Sequence, residues 1–291
     1  MKNKRKTIVI IGADGQLGMN LQHALSKHRL ELLTYQQVDV LDRTQVEDAL
    51  GRIRPEWVIN TAALTHVDWC EENDVKAFQV NALGARHVGE SCRANGARLV
   101  QISTDYVFDG KKGTPYREDD PTGPLNVYGI TKLAGENYVR SAHPDHYIVR
   151  TSGLYGPYPC WGKGTNFVDT MLTLAAQKDV LHVVDDEVLT PTYTEDLAEQ
   201  LRTLIEASPP PGVYHATNDG ECSWYEFARA IFEHTGMSPR IEKTTAAEWK
   251  AVAKRPAYSV LGNEALRLAG IETMPHWKDA LGRYLSKKLG S

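Results

Sequence analysis

Tyr128 and Lys132 are the two side chains whose types and spacing point most directly to chemistry. Residues four apart lie on the same face of a helix, so the phenol and the amine can converge on one point. A phenol has a pKa of about 10, and a neighbouring ammonium group favours the phenolate, which makes release of the proton easier. The pair therefore predicts a proton donor for the reduction of a carbonyl group. The same spacing also arises by chance, and both residues would then be ordinary surface side chains.

Two hydroxyl side chains, Ser103 and Thr104, stand at the end of an apolar run that begins near Arg98. Ligands of open α/β sheets bind beyond the carboxyl ends of the strands. Thr104 is therefore expected to hydrogen-bond a substrate carbonyl and to hold it beside Tyr128. A simple turn at the strand end is the alternative for both hydroxyl residues.

A glycine-rich turn follows the first apolar run, with the sequence GADGQLG at residues 12–18. Glycines spaced in this way let the backbone turn tightly and approach a pyrophosphate, whose charge suits the amide-rich start of a helix. The place of the turn between a strand and a helix predicts a dinucleotide site. For Asp14 and Gln16, steadying the turn and contacting the ligand remain open. The residues of this turn that we predict to bind the cofactor are Gly12, Asp14, Gly15, Gln16, Leu17 and Gly18.

The segment after the second predicted strand bears on the choice of cofactor. No acid stands right at that strand end, where it would bind a ribose 2′-hydroxyl and repel a 2′-phosphate, so the sequence is compatible with NADPH and with NADH. Asp39 and its neighbour Val40 are predicted to contact the cofactor, and a solvated or turn-forming aspartate is the alternative. Ala62 and Ala63 are small enough for the backbone to lie against the cofactor, although simple packing would also favour them.

Composition excludes several classes of protein. The chain has 291 residues, of which 42% are hydrophobic and 24% charged, and no stretch approaches the roughly 20 apolar residues of a membrane span. The run after MKNKRK is too short for a secretory signal and predicts a first buried strand. The net charge of -4, with scattered basic residues, argues against a nucleic-acid partner. The four cysteines are dispersed and form no CxxC pair, which predicts a reducing, cytoplasmic setting. The histidines show no HExxH pattern, so we expect no metal site.

Short apolar runs alternate with amphipathic segments through the first half of the chain. Parallel strands need crossover helices, so this alternation predicts an α/β fold with a Rossmann-type, doubly wound parallel sheet and a smaller, mostly helical substrate-binding lobe. We expect residues 1–155 to form the nucleotide-binding domain, with parts of 180–216 returning to it, and 156–291 to form mainly the second lobe. The predicted strands are 7–11, 31–34, 57–60, 98–103, 147–151, 180–184 and 212–215, and the predicted helices include 17–26, 75–94 and 128–140.

With these elements in order, the chain resembles the extended short-chain dehydrogenase/reductase superfamily and, more closely, the dTDP-4-dehydrorhamnose reductase family. The similarity runs through nearly the whole chain, in the blocks GADGQLG, NTAALTHVDWCE, VNALGARHV, ISTDYVFDG, YGITKLAGE, IVRTS, TNFVDTM, PTYTEDLA, CSWYEFA and RPAYS. The resemblance implies a homodimer and hydride transfer from a nicotinamide to the C4 ketone of a dTDP-6-deoxy-hexulose, completing dTDP-L-rhamnose. It also implies that Tyr128 donates the proton, that Lys132 binds the nicotinamide ribose and tunes Tyr128, and that Thr104 orients the carbonyl.

The resemblance further implies which residues surround the sugar and the reacting end of the cofactor, although each has a packing role as its alternative. The implied substrate contacts are Thr65, Val67, Thr104, Tyr106, Tyr128, Gly153, Asn166 and Phe167, and the implied cofactor contacts include Thr65, Ser103, Tyr128 and Lys132. Sugar-nucleotide dehydratases of the superfamily carry an Asp-Glu pair after the threonine. Here Tyr106 follows Asp105, so the second carboxylate is missing and simple reduction is favoured.

Departures from the family pattern gather around the expected sugar pocket. Gly153 stands where members usually have tryptophan, Leu189-Thr190 stands where Gly-Ser is common, and the loop around Cys160 is longer. We hypothesise that Trp161 fills part of the space at Gly153. These departures leave open a reductase that acts on a different nucleotide-linked keto sugar.

A second alternative belongs to another class of protein. A non-catalytic regulatory subunit, similar to the beta subunit of methionine adenosyltransferase, shares this fold and retains a cofactor site. Such a protein would bind its partner without turnover.

Overall fold

The structure is a computed structural model that describes residues 5–160 and 164–290. The strands are β1 (Thr7–Ile11), β2 (Arg29–Leu33), β3 (Trp57–Asn60), β4 (Arg98–Thr104), β5 (His146–Thr151), β6 (Leu154–Tyr155), β7 (Val180–Val184), β8 (Val188–Leu189), β9 (Thr192–Tyr193), β10 (Gly212–His215), β11 (Cys222–Ser223) and β12 (Arg240–Thr244). The α-helices are α1 (Gln16–Ala24), α2 (Arg43–Ile53), α3 (Val67–Glu72), α4 (Asp74–Phe78), α5 (Ala85–Asn95), α6 (Val127–Ala142), α7 (Phe167–Ala175), α8 (Thr194–Ala207), α9 (Trp224–Thr235), α10 (Ala246–Trp249), α11 (Glu264–Leu268) and α12 (Trp277–Leu289).

A parallel sheet of six strands, in the order β10-β5-β4-β3-β1-β2, forms the centre of the molecule. Its inner strands are largely buried because helices cover both faces, and β3 is buried at every position. Helices α1 and α8 pack on one face, while α2, α5 and α6 pack on the other. The predicted doubly wound α/β fold is confirmed.

The order of the strands creates a crevice at one edge of the sheet. The chain moves from β1 outward to β2 and then returns to β3 on the other side of β1. Connections that leave in opposite directions open a space beyond the carboxyl ends of β1 and β3, where ligands of such sheets bind. The glycine turn at 12–18 and the small residues at 61–63 follow these two strands, so both border the crevice.

A further hydrophobic cluster lies outside the sheet and includes Tyr155, Val168, Phe227, Trp277 and Tyr284. It joins α7, α9 and α12, together with the paired strands β7 and β12. Strand β10 lies in the central sheet although it comes late in the chain. These features support the division into two lobes, which remains our proposal.

One predicted helix, 75–94, is wrong as a continuous α-helix. The chain forms α4, then a π-helical segment from Gln79 to Gly84, and then α5. The Asn81 side chain lies in the π segment, accepts a hydrogen bond from the Leu64 backbone amide at 2.8 Å and donates to Thr131 at 3.1 Å. These contacts with distant parts of the chain are made at the point where the regular helix is interrupted. Strand β12 was also missed. Ser223 and Glu226 form a capping box at the start of α9.

Candidate active site

A cavity of about 280 Å³ lies beyond the carboxyl ends of the strands, where the crevice of the sheet meets the second cluster. Most of the predicted site residues meet there. The predicted residues that line it are Gly15, Gln16, Leu17, Ala63, Thr65, Val67, Ser103, Thr104, Tyr106, Tyr128, Lys132, Gly153, Asn166 and Phe167. The predicted residues outside its lining are Gly12, Asp14, Gly18, Asp39, Val40 and Ala62. Trp161 lies outside the described residues.

The glycine turn has the shape that close approach of a ligand requires. Gly12 has a φ of +77°, and a Cβ there would lie 2.7 Å from Thr61 Oγ1. A Cβ on Gly18 would lie 2.3 Å from the Gly12 carbonyl oxygen, so neither position accepts a side chain. Gln16 begins α1, and its side-chain nitrogen Nε2 is buried without a hydrogen-bond partner among the described residues. A backbone cradle at a helix start with an unsatisfied donor fits the pyrophosphate of a dinucleotide.

Asp39 and Val40, which were predicted to contact the cofactor, have structural partners of their own. Asp39 accepts a hydrogen bond from the Leu41 amide at 2.9 Å, which is the turn-forming role that the sequence left open. Val40 is buried, and its carbonyl oxygen lies 3.0 Å from His87 Nδ1. The cofactor contacts of Asp39 and Val40 stay predictions.

Helix α6 carries both members of the proton-donating pair. Asn126 fixes the start of the helix by accepting a hydrogen bond from the Gly129 amide at 2.8 Å. Lys132 is 4% exposed, and its amine donates to the Ile102 carbonyl oxygen at 2.7 Å. Burial lowers the pKa of Lys132 to about 8, while Glu136 acts in the opposite direction.

Burial determines the direction in which the pKa of the Tyr128 phenol shifts. Burial raises the pKa of Tyr128 above its usual value, and hydrogen bonding with Thr104 opposes that rise. In this structure desolvation of the phenol outweighs the interactions that favour the phenolate. The consequence is that Tyr128 holds its proton at neutral pH, as a proton donor must before the reaction.

The sequence reasoning missed the roles of two buried carboxylates, Asp105 in the lining of the cavity and Glu136 next to it. Asp105 accepts hydrogen bonds from Thr104 at 2.9 Å, Ser152 at 2.8 Å and Ser259 at 2.6 Å. Its pKa is raised by burial, and the three hydroxyl donors oppose that rise. The position of Asp105 directly after Thr104 was the available signal, but its partner Ser259 lies 154 residues away in the chain.

Glu136 is the second buried carboxylate, and it organises the other strand-end hydroxyl. Arg150 binds it with two hydrogen bonds, at 2.9 Å and 2.7 Å, and Ser103 donates to it at 2.6 Å. Both charged side chains are 1% exposed. Since Glu136 lies one helical turn beyond Lys132, the ion pair holds α6 against β5 next to the proton-donating pair.

The sugar-side residues combine cavity lining with packing. Asn166 caps α7 and also donates to the Gly156 carbonyl oxygen at 3.0 Å. The ring of Phe167 lies 4.6 Å from that of Trp224, which lines the cavity and was not predicted. The ring of Tyr106 meets that of Tyr128 edge to face at 5.8 Å.

The structure gives a reason for glycine at position 153. Its φ is +53°, and a Cβ there would lie 2.7 Å from Leu189 Cδ1 and 3.2 Å from Pro191 Cα. The two departures from the family pattern, at 153 and 189, are therefore in contact. Leu189 lines the cavity next to Gly153, which has no side chain.

Neither membrane-spanning helices nor metal clusters occur in the described parts of the chain. Within residues 5–160 and 164–290, each helix is too short or too polar to cross a bilayer. The same residues contain no group of three or more His, Cys, Asp and Glu side chains that could hold a metal ion.

Comparison with known proteins identifies relatives along the whole chain. The family model described as the RmlD substrate binding domain matches residues 6–289. The chain is 44% identical over 283 residues to a spore coat polysaccharide biosynthesis protein of Bacillus subtilis (strain 168), with 97% of each chain covered. It is 43% identical over 281 residues to the dTDP-4-dehydrorhamnose reductase of Streptomyces griseus, with 94% of this chain and 91% of that protein covered.

A solved structure agrees with these relatives. The crystal structure of dTDP-4-dehydrorhamnose reductase from Bacillus anthracis str. Ames in complex with NADP is similar with a TM-score of 0.93 and 39% identity. The match covers 98% of this chain and 100% of that one. The chain therefore belongs to the RmlD substrate binding domain family, the family of the dTDP-4-dehydrorhamnose reductases.

Proposed function

We propose that this protein is an NAD(P)H-dependent reductase that converts the C4 keto group of dTDP-4-dehydro-L-rhamnose to the alcohol of dTDP-L-rhamnose. The observation that carries the proposal is the meeting of Tyr128, Lys132 and Thr104 in one cavity, which the glycine turn also lines. Membership of the family supports it as well. The cavity lies where doubly wound sheets bind their ligands.

The proposed reaction assigns one task to each part of the cavity. The nicotinamide of NADPH or NADH supplies the hydride that reaches the ketone carbon. Tyr128 gives its phenolic proton to the carbonyl oxygen, and the buried setting keeps that proton in place until charge develops on the oxygen. Lys132 offers a positive charge that stabilises the phenolate left behind, and we propose that it also binds the nicotinamide ribose. The glycine turn and Gln16 would hold the pyrophosphate.

The cavity lining around Gly153 favours a second candidate function, that of a reductase for a different nucleotide-linked keto sugar. Leu189 contacts Gly153 and lines the cavity, so the sugar would meet an aliphatic side chain there. Hydrophobic pockets discriminate between sugars by only about tenfold to two-hundredfold for each added or missing carbon. The identity of the sugar therefore needs a direct measurement.

A panel assay tests the function. The purified chain is mixed with NADPH or NADH and with dTDP-, UDP- and GDP-linked 4-keto-6-deoxy sugars, and oxidation of the cofactor is followed by absorbance. We expect the highest kcat/KM with dTDP-4-dehydro-L-rhamnose. A higher value with another sugar would replace the substrate but keep the reductase. Cofactor binding with no oxidation across the panel would favour the non-catalytic regulatory subunit.

We also propose that the protein is a cytoplasmic homodimer. The described cysteines Cys70, Cys92, Cys160 and Cys222 form no disulfide bond, which suits a reducing compartment. Light scattering coupled to gel filtration would give the mass in solution, and the mass of a single 32.4 kDa chain would contradict the dimer.

A further inference from the structure

Tyr128 lies in the first turn of α6, directly after Val127, which begins the helix. The first amides of a helix have no partner within the helix, so this turn frays unless other groups bind it. A proton donor must keep its place closely, because a displacement of about 1 Å can lower a rate by about a hundredfold. The position of Tyr128 therefore depends on the groups that hold the first turn.

Two side chains bind the amides of this turn. Asn126 is 3% exposed and accepts a hydrogen bond from the Gly129 amide at 2.8 Å. Glu71, on α3, accepts a hydrogen bond from the Val127 amide at 2.9 Å. The start of α6 is thus held both by its own cap and by a side chain of another helix.

Asn126 also joins the turn to the C-terminal part of the chain. Its side-chain nitrogen donates a hydrogen bond to the backbone carbonyl oxygen of Lys254 at 2.8 Å, across 128 residues of sequence. Capping α6 needs only the side-chain oxygen, so serine or aspartate would cap the helix as well as asparagine. The contact with Lys254 gives the reason for an amide at this position.

The two partners of the turn, α3 and residues 253–255, are also bound to each other. Asp68 on α3 accepts a hydrogen bond from the Ala253 amide at 3.0 Å and two from the Arg255 guanidinium, at 3.1 Å and 3.0 Å. Asp68 directly follows Val67, which lines the cavity. Each of the three segments, α3, residues 253–255 and the start of α6, is therefore bound to the other two.

We propose that Asn126 and Glu71 are positioning residues for proton transfer, and that they hold Tyr128 in place from outside the cavity. The inference rests on the proposed function, since Tyr128 is the proton donor of that reaction. Neither side chain lines the cavity, so contact with the ligands is not their role. Lys132, one turn further along α6, has its own contact with the Ile102 carbonyl oxygen, so cofactor binding should not depend on Asn126 or Glu71.

Asn126→Ser tests the contact with Lys254, because serine caps a helix as well as asparagine does but has no amide to donate. We expect kcat at saturating NADPH to fall about tenfold, since Tyr128 loses part of its alignment. The Kd of NADPH should stay at the wild-type value. Stopped-flow oxidation of NADPH and a fluorescence titration of the cofactor measure the two quantities.

Glu71 provides an independent test with a conservative variant. Glu71→Gln keeps an oxygen that can accept from the Val127 amide, and it should retain the wild-type kcat. Glu71→Ala has no such oxygen and should lower kcat about tenfold, with the Kd of NADPH unchanged. If Asn126→Ser does not fold, the Glu71 pair carries the test alone.

A matched control removes a helix cap elsewhere. Asp42 caps α2 by accepting a hydrogen bond from the Gln45 amide at 3.1 Å, and it lies outside the cavity lining. Asp42→Ala should lower the Tm, as loss of a cap does, but leave kcat at saturating NADPH unchanged. A fall in kcat as large as that of Glu71→Ala would show that a general loss of stability is the cause, and would overturn the inference.

Hydrogen exchange followed by mass spectrometry gives a measurement that needs no turnover. The amides of residues 127–129 should exchange faster in Asn126→Ser and in Glu71→Ala than in the wild type, and at the wild-type rate in Asp42→Ala. Wild-type exchange, or wild-type kcat, in both Asn126→Ser and Glu71→Ala would overturn the inference. If the panel assay rejects the proposed reductase, the exchange rates still decide whether the two side chains hold the turn that carries Tyr128.

Discussion

The cavity has two walls of different construction. The reaction wall, formed by Ser103, Thr104, Asp105, Tyr128 and Lys132, lies on β4, the turn after it and α6. The sugar wall, formed by Gly153, Cys160, Asn166, Phe167 and Leu189, lies mostly on short strands, loops and the start of α7. The first wall contains charged groups with fixed partners, whereas the second relies on backbone shape and apolar contacts.

We therefore expect the reaction wall to carry out proton transfer and the sugar wall to select the substrate. On the reaction wall, each hydrogen bond fixes the direction of the next, so a single replacement changes the protonation or orientation of several groups. On the sugar wall, Gly153 and Leu189 share one space, and a change in one can be met by a change in the other. The departures from the family pattern at Gly153 and Leu189 both lie on the sugar wall, away from Tyr128 and Lys132.

The largest effect is expected from Arg150→Met, which removes the support of the reaction wall. The buried Glu136 carboxylate would lose the guanidinium that binds it with two hydrogen bonds and keep only Arg140, at 3.6 Å, and breaking a buried pair typically costs about 3–5 kcal/mol. Urea unfolding should show a free energy of unfolding lower by this amount. The double variant with Glu136→Gln removes the unpaired charge and should recover part of the loss. An unchanged unfolding midpoint in Arg150→Met would show that the pair does not hold the wall.

Tyr128→Phe should give the next largest effect, on catalysis alone. Loss of the proton donor should lower kcat at least about a hundredfold, while the affinity for NADPH stays close to that of the wild type. Stopped-flow measurement of NADPH oxidation, together with a fluorescence titration of the cofactor, would check both parts. Near-normal kcat would mean that the proton comes from elsewhere on the reaction wall.

Gly153→Ala tests the sugar wall and should cost about 1–2 kcal/mol of stability, since an L-residue at positive φ is strained. Its Cβ would also press on Leu189, so the cost should shrink in the Leu189→Ala background. Thermal unfolding of the two single variants and the double variant measures this coupling. Equal costs of Gly153→Ala in both backgrounds would show that the two positions act independently.

Much of the reaction wall and the central sheet was predictable, because local patterns specify them. Buried parallel strands are continuous apolar runs, and Tyr128 and Lys132 share α6 because of their spacing. The three-way contact of Asp105 was not predictable, since Ser152 and Ser259 approach it from distant parts of the chain. The strand β12, RIEKT, is only partly buried and lacks an apolar run, so its pairing with β7 carried no sequence signal.

The smallest expected effect is the pH dependence of NADPH affinity. It tests whether charge on the reaction wall contributes to cofactor binding. The Lys132 amine, with its pKa lowered to about 8, is mostly ammonium at pH 7 and mostly neutral at pH 9. If the ammonium binds the ribose, the affinity for NADPH should fall as pH rises through 8, by at most about tenfold between those values. Lys132→Met should bind weakly at both pH values. Leu189→Ala, on the sugar wall, should keep the wild-type pH dependence. A wild-type affinity that does not change between pH 7 and 9 would remove Lys132 from cofactor binding and leave it only the role of stabilising the phenolate.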